Sequence, residues 1–169
     1  MGGGKRSKRY KKTEEKILAV FLDEPRCSMC KLAKKAGIAR STFYTHHHSA
    51  RLIIPDYEED ILRRYSKFIK KKLQKDVGLK NLYLDTLLFI VKNRQIFEIF
   101  LEFGNREIII KMLSILRLKI EISDKLFRIY IAEVTEIIFE WGERGFLEGE
   151  IEEVLCDIKK LRKVESAVF

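Results

Sequence analysis

The chain has 169 residues, a net charge of +9 and 46% hydrophobic residues, enough for one large domain or a small domain joined to a medium one. It contains no run of about 18 uninterrupted apolar residues, so no membrane-spanning helix is expected, and its basic amino terminus leads into no apolar signal segment, which points to a soluble cytoplasmic protein. Cys27, Cys30 and Cys156 are too few, and odd in number, for a disulfide framework.

The positive charge is concentrated. Residues 1–50 hold 12 Lys/Arg and 4 Asp/Glu, a net of +8, whereas residues 51–169 hold 22 and 21, a net of +1. A basic segment of this kind favours a polyanion, because neutralised phosphates release counterions.

Residues 1–12 are expected to form a disordered basic arm. Thr13 is a candidate N-cap for a first helix, with Glu14 and Glu15 in its first turn. Ile17, Val20 and Phe21 form its apolar stripe, and Pro25 predicts a stop near Asp23. Ser28 can cap a second helix, with Cys27 and Leu32 at the spacing of a hydrophobic staple. Gly37 is placed to end that helix in a left-handed conformation. A third short helix follows from about Arg40 to His46. Helices this short must pack on one another, and Ile17, Phe21, Leu32, Ala33, Ile38 and Phe43 can supply the core.

Pro55 suits a first helical turn, so a long helix is predicted from there to about Lys75. Asp76-Val77-Gly78 reads as a turn. Helical periods then recur near 80–92, 94–103, 105–121, 124–143 and 149–163, with no alternation that would argue for strands. The expected fold is all-α: a three-helix domain over residues 1–50, then a larger antiparallel helical bundle over 51–169, about nine helices in all.

The segment Ser28 to His46 reads as capped helix, glycine turn and short helix. This is the organisation of a helix-turn-helix, whose second helix presents its first residues to major-groove base edges. Leu32, Ala33, Ile38 and Phe43 should face inward. Arg40, Ser41, Thr42, Tyr44 and Thr45 should face out, and Arg40 can make a bidentate contact to guanine. With Thr13, Ser28, Leu32, Ala33, Ala36, Gly37, Ile38, Ser41, Thr42, Phe43, Tyr44 and His46 at matching positions, residues 9–53 resemble the TetR family of bacterial transcriptional regulators. Ala39, His47 and Ala50-Arg51 depart from that family's usual Ser cap, Phe and Lys-Glu.

The resemblance implies a sequence-specific regulator of double-stranded DNA, a cytoplasmic, nucleoid-associated homodimer on an inverted repeat, acting as a repressor released by a small effector. Ser28, Tyr44, His46 and Arg51 would meet the backbone, and Arg40, Ser41, Thr42 and Thr45 would read bases. It also implies an effector pocket in the larger domain. Residue spacing suggests a lining of Phe97, Phe100, Met112, Phe127 and Tyr130, suited to a small apolar ligand. The apolar stripes Ile131, Val134, Ile138 and Trp141, and Val154, Leu155, Ile158 and Leu161, are expected to form a dimer interface. Trp141 to Gly145 also fits a Trp-x-x-x-Gly pattern found in some members.

Two alternatives belong beside this reading. The larger domain could chiefly bind another protein, a coregulator. Cys27-x-x-Cys30 with His46-His47-His48 could make a metal-responsive protein, although adjacent histidines do not match zinc-finger spacing, and neither a metal nor a cofactor is expected. Glycine-rich phosphate loops, nucleophile elbows and paired acid/base residues are missing from the sequence, so no enzymatic activity is expected.

Overall fold

The computed structural model describes residues 8–47, 53–75, 77–119 and 123–168. All regular structure among them is helical. The α-helices are α1 (Lys8–Asp23), α2 (Met29–Lys35), α3 (Arg40–His46), α4 (Ile53–Leu73), α5 (Leu79–Lys92), α6 (Arg94–Glu102), α7 (Glu107–Ser114), α8 (Asp124–Glu143) and α9 (Ile151–Val168). Short 3-10 segments at Ile115–Lys119 and Glu148–Glu150 follow α7 and precede α9. No described helix is long and apolar enough to cross a membrane. The chain divides into two compact units, Met1–Tyr57 and Glu58–Phe169, so the first unit extends seven residues beyond the expected boundary.

In the first unit, α2 packs against α1 and α3. Ile17, Phe21, Leu32, Ala33, Ala36, Phe43, Ile53 and Tyr57 are buried; Ile38, expected with them, is half-buried. The start of α1 differs from the sequence expectation. The helix begins at Lys8, five residues before Thr13, whose hydroxyl donates to the Arg9 carbonyl at 3.1 Å inside the helix. Lys and Arg are good helix formers, and Tyr10 stacks on His46 with ring centroids 3.9 Å apart, giving this turn a tertiary anchor. Residues 1–7 of the expected arm lie outside the described residues.

α2 ends as predicted. Gly37 has φ +63°, the Ile38 amide donates to the Ala33 carbonyl at 3.0 Å, and the Gly37 amide donates to the Lys34 carbonyl at 3.2 Å. These two bonds form a Schellman motif, which returns the chain sharply into α3.

The second unit is a bundle in which α8 packs against α6, α7 and α9, and α5 packs against α6 and α9. α4 joins it through Tyr65 and Phe68, both in ring contact with Phe89 of α5. The break between α5 and α6 falls at Asn93, whose side-chain amide donates to the Phe89 carbonyl at 2.7 Å. The predicted 105–121 helix is shorter, giving way to the 3-10 turn after Ser114. Trp141-Gly142-Glu143-Arg144-Gly145 forms the end of α8. Gly145 has φ +88°, the Phe146 amide donates to the Trp141 carbonyl at 3.2 Å, and the Trp141 indole donates to the Leu147 carbonyl at 3.1 Å.

Candidate functional site

The candidate site is the outer face of α3. A seven-residue helix can present little, so what matters is which side chains its packing leaves free. Phe43 points into the core at 1% exposure, its amide bonded to the Ala39 carbonyl at 3.0 Å. Ala39 stands at the N-cap in extended geometry and has no hydroxyl to offer the first-turn amides. Arg40, Ser41, Tyr44 and Thr45 are exposed and Thr42 is half-buried. The structure therefore brings four of the predicted DNA contacts onto one open face, with Thr42 at its edge.

Local bonds qualify two of these residues. The Thr45 hydroxyl donates to the Ser41 carbonyl at 2.9 Å, which leaves its oxygen as an acceptor. Tyr44 meets Phe43 edge-on while staying 42% exposed. Ser28 is exposed at the N-cap position of α2, and its side chain makes no capping bond. The basic residues of α2 are partly engaged: Glu24 pairs with Lys31 at 3.0 Å and with Lys35. Arg51 and His48 lie outside the described residues.

His46 does not join the outer face. Its Nδ1 meets a Glu14 carboxylate oxygen, its ring stacks on Tyr10, and its side chain is 5% exposed. His47, which sequence reasoning placed only as a departure from a pattern, is more deeply buried. Its Nδ1 lies 2.8 Å from Asp56 Oδ2 and its Nε2 3.4 Å from Glu14 Oε2. Burial works against the imidazolium, but the carboxylates of Glu14 and Asp56 outweigh it, so the His47 pKa is raised. Burial also works against the Glu14 carboxylate, and the two imidazoles reverse that, holding its pKa below the usual range. The available signal was register. His47 follows Phe43 by four residues, so the two share the buried face.

In the second unit the residues expected around an effector are packed. Phe97 and Phe100 line a crevice with Ile108, Ile109, Ile138 and Phe146, and it has room for about 0 Å³ of water. Met112 and Tyr130 are buried and Phe127 is half-buried beneath the Arg117 guanidinium. The stripes expected at a dimer interface are likewise interior. Ile131, Val134, Ile138, Trp141, Val154, Leu155 and Ile158 are 0–3% exposed within one chain, and Leu161 is half-buried. An apolar stripe of helical period fits an intrachain core as well as a partner, and here the packing of α8 on α9 occupies it. An open depression of about 420 Å³ lies along α4, lined by Arg63, Ser66, Lys67, Lys70, Lys71 and Gln74.

The described residues include no group of three or more His, Cys, Asp or Glu side chains arranged to hold a metal; Cys27 is half-buried, and Cys30 and Cys156 are exposed. Compared with known proteins, the chain matches no family model, no curated protein and no solved structure.

Proposed function

We propose that the first unit is a helix-turn-helix of the TetR type, and that the outer face of α3 reads double-stranded DNA. The observation that carries this is the division of α3: Phe43 in the core, and Arg40, Ser41, Tyr44 and Thr45 exposed on a helix fixed by the Schellman turn. Arg40 reads a guanine by two parallel hydrogen bonds. Ser41 and Thr45 contact neighbouring bases, Thr42 reaches from the edge, and Ser28 and Tyr44 hold phosphates. The +8 charge of residues 1–50 supplies the salt-dependent part of the affinity.

The protein acts as a transcriptional regulator, most simply a homodimeric repressor on an inverted repeat, with no enzymatic step. A second copy packing on α8 and α9 meets their outer sides, where Ile129, Glu133 and Glu140 on α8 and Glu152, Glu153 and Cys156 on α9 are exposed. Release by a small apolar effector requires the crevice at Phe97 and Phe100 to open.

A second reading of the regulatory signal has its own support. The α4 depression carries Arg63, Lys67, Lys70 and Lys71 and no apolar side chain, which suits an acidic protein partner. Binding of poly-glutamate to the full chain, lost in a K67Q/K70Q/K71Q variant, supports it; equal binding by both chains removes it.

The DNA reading is tested by enriching duplexes from a random-sequence pool with the full chain at physiological salt. An inverted repeat whose affinity drops in Arg40→Ala is the expected result. Enrichment of no sequence would refute the proposal.

A further inference from the structure

Behind α3, both ring nitrogens of His47 face carboxylates: Nδ1 faces Asp56 at 2.8 Å and Nε2 faces Glu14 at 3.4 Å. A neutral imidazole carries one N–H and can serve only one of them. The imidazolium carries two: Nδ1 is hydrogen-bonded to Asp56, and Nε2, which makes no hydrogen bond, is at ion-pair distance from Glu14. The arrangement ties three elements together, since Glu14 is on α1, His47 closes α3, and Asp56 is in the first turn of α4.

The remaining polar neighbours come from the same elements. His46 of α3 shares Glu14 and is stacked by Tyr10 of α1. The Tyr57 hydroxyl of α4 donates to the Glu14 carbonyl at 3.3 Å, and the Tyr57 ring lies 6.5 Å from that of His47. Phe43 packs against His47 from one turn back in α3, with ring centroids 5.8 Å apart. His47 is 2% exposed and the Glu14 side chain 21%, whereas the Asp56 side chain is 55% exposed, so water can replace a lost N–H donor at Asp56 but not readily at Glu14.

We infer that Glu14, His47 and Asp56 are positioning residues for α3, and that protonated His47 holds the end of α3 in its DNA-reading position more firmly than neutral His47 does. The inference rests on the function proposed above and adds a pH response to it. Deprotonation leaves one carboxylate facing a lone pair, and the end of α3 keeps one of its two His47 ties, beside the His46–Glu14 contact.

The direction follows from linkage. His47 has a raised pKa in the folded unit, so its stabilisation is complete below the ordinary imidazole value of about 6.5 and is lost as pH rises through the raised one. Glu14 is lowered, so its contribution is complete above the ordinary carboxylate value of about 4.3 and is lost only as pH falls through the lowered one. The anchor is therefore strongest between these limits and weakens on the alkaline side.

The test uses the full chain between pH 6 and 8.5. Hydrogen-exchange protection of the Phe43 and His47 amides, corrected for intrinsic exchange, should fall by up to tenfold per pH unit, the limit for one coupled proton. In His47→Phe, which puts an apolar ring beside Phe43, the fall of protection with pH should be reduced; His47→Gln gives the same readout should the Phe variant not fold. A flat wild-type profile, or an unchanged slope in the variant that folds, overturns the inference. In parallel, affinity for the duplex enriched at pH 6 should weaken towards pH 8.5 in the wild type, by no more than tenfold per pH unit, and less in the variant. Affinity that ignores pH while exchange follows it also overturns the inference. Failure to enrich any duplex counts against the function proposed above, while the exchange profile still decides whether His47 holds α3.

Discussion

Replacing Gly142 with Ala puts a methyl group between α8 and the side chains of Leu101 and Phe146. A Cβ there would lie 2.4 Å from Leu101 Cδ1 and 2.7 Å from Phe146 Cζ, about 1 Å inside ordinary carbon contact. Leu101 is half-buried and can swing aside. Phe146 cannot do so as easily: it is 1% exposed, has φ +49°, and is packed edge-on against Trp141 and Phe97. Overpacking of this kind costs about 1–3 kcal/mol. The better helix propensity of Ala returns about 1 kcal/mol. With two contacts under 3.0 Å placing the cost in the upper half of that range, the net expectation is a loss of about 1–2 kcal/mol in the second unit. Trp141 is the only tryptophan in the chain and is fully buried beside the change, so its fluorescence in urea reports this unit. With a slope of about 2 kcal/mol per molar, the midpoint should fall by roughly 0.5–1 M. Gly149→Ala, where a Cβ meets nothing within 4 Å, serves as the control. A Gly142→Ala midpoint equal to or above the wild type would refute the reasoning.

Substitutions at two further positions probe separate links. Gly37→Ala meets no atom within 4 Å at φ +63°, so its cost is conformational: about 1–2 kcal/mol for the left-handed residue, less about 0.4–1 kcal/mol from a stiffer unfolded chain. Gly37→Asn should cost less, since Asn tolerates that conformation; hydrogen exchange of the α2 and α3 amides measures both, and equal losses would contradict the argument. Tyr65→Phe removes a buried hydroxyl 2.7 Å from Thr86 Oγ1, whose own proton goes to the Leu82 carbonyl at 2.7 Å. It should cost about 1 kcal/mol in the Trp141 transition, and no change would show that bond to be inert.

Much of the fold was legible because its signals are local. Pro25, Gly37, Asn93 and Ser123 each act on the backbone within a few residues, and they bound helices where the sequence predicts. The start of α1 was not legible, because the stacking of Tyr10 on His46 spans 36 positions. The burial of His46, expected at the DNA, was not legible for a related reason, and no role for His47 could be read. A polar residue at the end of a short helix looks solvent-facing until a carboxylate from another helix is placed beside it. The apolar stripes of α8 and α9 show the opposite limit: their period fixes a face, but which surface covers that face is decided by tertiary packing.

The most direct test of the central claim is the affinity of the full chain and of Arg40→Ala for the enriched duplex and for the same duplex with single base changes, at physiological salt. Arg40→Ala is expected to lose about 1–3 kcal/mol on the enriched duplex and to discriminate no longer at one base position in each half-site, with the salt dependence nearly unchanged. Equal discrimination by the wild type and Arg40→Ala, or binding by the wild type without sequence preference, would contradict that claim.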